Sequence, residues 1–146
     1  VSVIENIPLD HIKFHGALYN DAAENAQLSA ELVDFLQVDY PRIPLFVPPH
    51  SELEKVAIQK GHPIKLEVFG DRAYQENYKL VSRSIKNSLL TTRKEVIFHL
   101  DLIVNQGNIQ TSSGNLIPIL SDTICFHGDN PGIMQFLPFV REKFWN

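Results

Sequence analysis

The chain alternates. Short apolar segments at 12–15, 43–47, 64–69 and 123–126 are separated by stretches whose apolar residues recur at helical spacing. Such alternation calls for an α/β fold, because a parallel strand reaches its neighbour only through a crossover, and the crossover is right-handed. It also says where chemistry belongs. In α/β folds ligands gather at the carboxyl ends of the strands.

The segments can be bounded from local signals. The first, 11–15, runs into Gly16. The spacing then predicts a helix over 21–36 with Leu28, Leu32 and Phe35 on one face. Segment 43–47 is stopped by Pro48 and Pro49. Ser51 and Glu54 read as a capping box, each side chain covering the other residue's backbone N–H. The helix they open runs to Lys60 and ends at Gly61. Residues 64–69 form the next strand, and 79–90 show no regular pattern. Thr92 and Glu95 make a second capping box. The helix behind them carries Val96, Ile97, Leu100, Ile103 and Val104 as a stripe, and Gly107 closes it. Residues 109–111 and 116–120, around Ser112-Ser113-Gly114-Asn115, read as a hairpin. Asn130 is placed to cap the last helix, with Pro131 at its first position. Ile133, Phe136, Leu137, Val140 and Phe144 form that helix's predicted buried stripe.

A length of 146 residues suits one domain with a real core. The net charge of −4 offers no basic field for nucleic acid. No apolar run approaches the roughly 20 residues of a membrane span. One cysteine, Cys125, cannot make an internal disulfide and fits a reducing, cytoplasmic setting. The first residues, VSVIENIPLD, lack the basic and apolar regions of a signal peptide. The only methionine is Met134, so the expectation is that a segment upstream of Val1 is absent.

The strand ends carry the candidates: Lys13, His15, Tyr19 and Asn20 after the first; Glu67, Asp71, Arg72 and Tyr74 after the third; His127, Gly128 and Asp129 after the fourth. Each has a structural reading. A lone histidine at a strand end is more often a half-buried residue bonded to a carbonyl than a catalyst. Glu67, Asp71 and Arg72 could equally form an ion pair, and Tyr19 and Tyr74 read first as packing residues with a bonded hydroxyl. His50, His62, His99 and Cys125 read as structural. The functional reading comes from convergence. Imidazole shuttles protons near neutral pH, a guanidinium forks onto carboxylate or phosphate, and 128–132 open onto a helix N-terminus. Together these suit hydrolysis or acyl transfer on an anionic substrate. No G-x-x-x-x-G-K-[ST], G-x-S-x-G or H-E-x-x-H motif is present.

Three stretches, KFHGALYNDAA, EVFGDRAYQENYKLVSRS and SDTICFHGDNPG, resemble in order and spacing the LamB/YcsF family, the A subunit of bacterial-type 5-oxoprolinase. The resemblance runs from about residue 9 to residue 141. It implies a distorted seven-stranded β/α barrel of the glycoside hydrolase/deacetylase-like type, of which this chain is the C-terminal portion. The implied activity is ATP-dependent opening of 5-oxoproline (pyroglutamate) to L-glutamate. The implied partners are B and C subunits that activate the lactam with ATP, the A subunit performing the hydrolysis. Lys13, His15 and Asn20 match the first motif. Glu67, Asp71, Arg72 and Tyr74 match the second, followed by Arg83, and His127, Gly128 and Asp129 match the third. On this basis His15 or His127 is assigned acid/base work and Asp71 or Glu67 the orientation of a histidine or water. Arg72 is assigned anion binding, and Lys13, Asn20, Tyr74, Arg83 and Asp129 substrate contacts. His15, Asp71, Arg72 and His127 are expected to face one pocket.

The chain departs from the family pattern at Phe14, at 48–51, at 85–88 and at Gly70, where the family has alanine. The family's early DLN-x-D and CGFHAGDP stretches are absent. An open parallel sheet leaves edges that pair, so a homo-oligomer is a further expectation. Two other readings stand beside the enzyme: a non-catalytic assembly module, and a metal-dependent hydrolase of the deacetylase-like type. No metal is expected, because no close-spaced ligand motif is present.

Overall fold

Helices and short strands alternate as the periodicity requires, and the fold is mixed α/β. The computed structural model describes residues 8–145. The sequence suits one domain; in the structure the contacts group into two compact units, Val1–Glu67 and Val68–Asn146.

In the first unit, the predicted strand at 11–15 contracts to a single parallel bridge, Ile12 to Leu45. The predicted helix over 21–36 is two helices, α1 (Ala17–Glu24) and α2 (Ala26–Asp39). Asn25 divides them. Its backbone is extended, and its side chain accepts the Leu28 N–H at 3.0 Å, an N-cap within what looks like one periodic run. The inward face of α2 lies one residue on from the predicted stripe. Ser29, Val33 and Leu36 are buried, while Leu28 and Leu32 are half-buried and Phe35 stands 57% exposed.

Strand β1 (Leu45–Val47) is fully buried and pairs in parallel with β2 (Ile64–Phe69), Leu45 opposite Ile64 and Val47 opposite Leu66. Helix α3 (Glu52–Gln59) crosses between them. Half of its expected capping box forms: Ser51 Oγ accepts the Glu54 N–H at 3.1 Å. The Ser51 amide is already bonded to Pro48 O, so the Glu54 carboxylate takes the His50 amide instead. Ala22, Val33, Leu36, Leu45, Val47, Leu53, Val56 and Ala57 form this unit's core.

The second unit opens with the last residues of β2. Helix α4 (Arg93–Gln106) starts on the complete Thr92–Glu95 box and stops at Gly107, left-handed at φ 63, as its sequence predicts. His99 joins Val96, Leu100 and Ile103 on the buried face, and Val104 is exposed. Strands β3 (Asn108–Gln110) and β4 (Leu116–Pro118) pair antiparallel as the predicted hairpin. Strand β5 (Thr123–Cys125) lies beside the end of β2, with the Gly70 amide donating to Cys125 O at 2.9 Å.

Helix α5 (Ile133–Phe144) begins two residues later than predicted. Asn130 Oδ1 receives the Gly132 amide at 2.9 Å, so Asn130 holds the entry turn and not the cap position itself. Phe136 and Val140 of α5 are buried with Val96 and Leu100 of α4. Leu137 is exposed, and Pro138 sits within the helix.

Two glycines here answer to close packing. A Cβ on Gly132 would fall 1.8 Å from Thr91 O. One on Gly70 would fall 2.5 Å from the Phe126 ring, so Phe126 fills the space an alanine methyl would need.

Candidate functional site

The strongest constellation lies in the second unit, where the end of β2 meets the turn after β5. Asp71 is completely buried. Its Oδ1 accepts from His127 Nδ1 at 2.9 Å, and its Oδ2 accepts from the His127 amide and from Asn130 Nδ2, both at 3.0 Å. Burial pushes the Asp71 carboxyl up, but the hydrogen bonds from the His127 ring, Asn130 and the His127 amide outweigh it and hold the group below its ordinary value. The carboxylate is therefore ionised near neutral pH and can only accept, so Nδ1 carries the hydrogen that faces it. In the neutral imidazole this leaves the Nε2 lone pair for other work. The His127 side chain is 20% exposed.

The scaffold holds both partners from several directions. The Leu90 amide donates to Asp71 O at 2.9 Å, and Asn130 Nδ2 also donates to Leu90 O at 3.0 Å. The His127 ring stacks on Phe69, centroids 4.9 Å apart and 10° from parallel. Asn130 and Phe69 were not among the site residues expected from sequence. Asn130's signal was there to read, three residues after His127 in the same HGDN run, but it also suits a plain helix cap.

Arg72 turns inward. Its Nε donates to Ser88 O at 3.3 Å and an Nη to Val81 O at 2.7 Å, tying down the irregular segment 73–88. Burial lowers its pKa from the ordinary guanidinium value, assisted by Arg83 and opposed by Asp71, Tyr74 and Asp129. Tyr74 is buried, and its hydroxyl accepts the Phe69 amide at 2.8 Å. Arg83 is exposed, and its Nη1 donates to Asp129 Oδ2 at 2.8 Å; that bond holds Asp129 below the usual carboxylate range.

In the first unit, Lys13 Nζ lies 2.7 Å from each oxygen of Glu67, with the acid 3% exposed. Nζ also stands 5.6 Å from the Tyr19 ring centre. Asn20 is exposed on α1, its amide donating to Gly16 O, and His15 is exposed just before Gly16.

Size does not pick out the site. A groove of about 1080 Å³ between α4 and α5, walled by Phe98, Phe139 and Arg93 among others, contains none of the dyad residues. Among the described residues no three His, Cys, Asp or Glu side chains gather as a metal cluster. Nor is any helix there long and apolar enough to cross a membrane.

Fold and site together describe an α/β protein with a buried Asp–His pair at a strand end. The LamB/YcsF family model matches residues 1–146, and the chain belongs to that family. It is 34% identical over 139 residues to the 5-oxoprolinase A subunit of Coprothermobacter proteolyticus, covering 95% of this chain and 53% of that protein. It is 36% identical over 137 residues to the protein of the same name from Limosilactobacillus fermentum, covering 93% and 55%. A crystal structure of a lactam utilization protein from Thermus thermophilus superposes with a TM-score of 0.87 at 28% identity, over 97% of this chain and 57% of that one. The chain thus spans about half the length of the curated relatives it matches.

Proposed function

We propose that this chain serves the hydrolytic ring opening of 5-oxoproline to L-glutamate, with His127 as the proton-transfer group and Asp71 as its orienter. The observation that carries the reading is the Asp71–His127 pair: a buried acid that accepts from the His127 ring, and is itself held by the His127 amide and Asn130. Lactam hydrolysis needs such a group twice. Nε2 takes a proton from water as the water oxygen bonds to the lactam carbonyl carbon. The imidazolium then returns a proton to the ring nitrogen as the C–N bond breaks. Asp71 stabilises the imidazolium between these steps by accepting from its Nδ1–H.

ATP would supply the driving force through B and C subunits, as the family resemblance implies. The relatives are named for one subunit of several, which supports a multi-subunit assembly. The chain has no Walker-type glycine loop of its own. A seven-stranded barrel for the family fold and a cytoplasmic setting are proposed on the same resemblance. Lys13, His15, Asn20 and Glu67 enter the proposal on their motif alone. Arg83 and Asp129, exposed in the unit that holds the dyad, are the proposed substrate contacts there.

The test combines the chain with B and C subunits, ATP and 5-oxoproline, and measures glutamate. His127→Ala should lower turnover about 10²–10⁴-fold, the usual worth of a positioned acid/base group. Unchanged turnover in that variant rejects the role of His127. A chain that assembles with the subunits but yields no glutamate, even with the family's early segment added, supports the assembly-module reading instead.

A further inference from the structure

Under the His127 ring lies a layer that the dyad meets through Phe69. Phe69 is the ring on which the imidazole stacks, and side chains grip its peptide unit from both sides. Its amide donates to the Tyr74 hydroxyl at 2.8 Å, and its carbonyl accepts from His99 Nε2 at 3.1 Å. His99 is 5% exposed, and its ring faces that of Tyr74 at 6.2 Å. Burial pushes the His99 pKa down to about 4, against the opposing pull of Phe69 O and Asp71. It is therefore neutral near pH 7, with its single N–H on the nitrogen that meets the carbonyl. A leucine at this point of α4 would fill the core without the desolvation penalty of burying an imidazole. What the imidazole adds is a directed bond to the residue that carries the platform.

We infer that His99 is a positioning residue for His127, acting through Phe69, with Tyr74 as its counterpart on the opposite side of the same residue. The inference rests on His127 being the proton-transfer group. Two contacts fix the plane of its ring: the Asp71 bond at the edge and the Phe69 face below. The edge bond alone leaves the ring free to rock about the Nδ1–Oδ1 line. Rocking swings Nε2 away from a bound water, and proximity terms are sensitive to such displacements. Loosening Phe69 should thus reduce turnover and disturb the His127 ring, with little effect on substrate affinity.

The experiment compares the native chain with His99→Leu, His99→Gln and Tyr74→Phe. Ring ¹⁵N NMR reports the His127 tautomer in the chain alone, and the reconstituted assay reports kcat and KM. In His99→Leu we expect the His127 ring signals to broaden or divide between tautomers. We also expect kcat to fall about fivefold to tenfold, the equivalent of one ordinary hydrogen bond, with KM unchanged. His99→Gln, whose amide can still donate to Phe69 O, should restore both. Native ring signals in folded His99→Leu overturn the inference, and so does His99→Gln being as impaired as His99→Leu. If His99→Leu does not fold, Tyr74→Phe decides: a disturbed ring supports the inference and a native one overturns it. Retained turnover in His127→Ala would instead remove the catalytic reading, while the ring signals would still report whether His99 positions His127.

Discussion

Lys13 with Glu67 in the first unit and His127 with Asp71 in the second are both buried acids facing a basic side chain, yet they are held differently. One ammonium sits 2.7 Å from both Glu67 oxygens. Lys13 Nζ donates one hydrogen bond, to Glu67 Oε1, while among the described residues Oε2 accepts no aligned hydrogen bond, so on that oxygen the contact is an ion pair without direction. Asp71 receives three N–H groups over its two oxygens, two of them from His127. A point charge on a flexible stem balances charge and leaves orientation loose. Directed donors on a carboxylate fix the geometry of whatever carries them. The first arrangement suits holding a fold together, and the second suits aiming a ring.

The comparison can be broken first at its structural half. Lys13→Met leaves Glu67 buried without its cation and should cost about 3–5 kcal/mol of stability by denaturant unfolding. Combining it with Glu67→Leu should recover most of that loss, since an apolar pair of similar volume needs no partner charge. A double variant as unstable as the single one would mean that Glu67 holds something besides Lys13.

Acid should act on the second unit through His99. The His99 pKa lies at about 4 in the fold against an ordinary value of 6.5. The unfolded chain therefore binds the extra proton first, and stability present above pH 6.5 is lost as pH falls toward 4. At about 1.4 kcal/mol per unit, the loss is roughly 3 kcal/mol. Asp71, whose pKa is lowered in the fold, contributes stability that disappears only below its ordinary 3.8. Comparing native chain and His99→Gln at pH 7 and pH 4.5 isolates the histidine. Equal acid losses in the two would contradict its buried, neutral state.

The smallest structural effect belongs to the exposed pair Arg83–Asp129, with side chains 47% and 67% accessible. Arg83→Met should leave the unfolding midpoint unchanged, because solvent screens such pairs. If Arg83 contacts substrate as proposed, the same variant raises KM.

Local signals were legible in the sequence and long-range ones were not. The Thr92–Glu95 box, the Gly107 stop and the hairpin around Gly114 form as read, because each depends on residues within a few positions. The Asn25 break was hidden because the stripe of Leu28, Leu32 and Phe35 lies wholly after it, and one asparagine among helix-forming residues does not by itself mark a cap. Glu54 could not be placed without knowing that Pro48 O takes the Ser51 amide. Asp71 and His127 stand 56 residues apart; their strand-end positions and the family motifs put both under suspicion, but no spacing rule joins them as a pair. His99 looked like one more member of a helical stripe. Its role depends on Phe69 O, which lies 30 residues earlier.

The central claim is that Asp71 acts through the hydrogen on His127 Nδ1. Asp71→Asn preserves shape but can present an N–H where an acceptor is needed, favouring the wrong tautomer. Glutamate formation from 5-oxoproline by the reconstituted assembly, measured with a variant shown by circular dichroism to be folded, tests this most directly. The account predicts a fall in kcat of at least about 10²-fold. Native kcat in folded Asp71→Asn would contradict it.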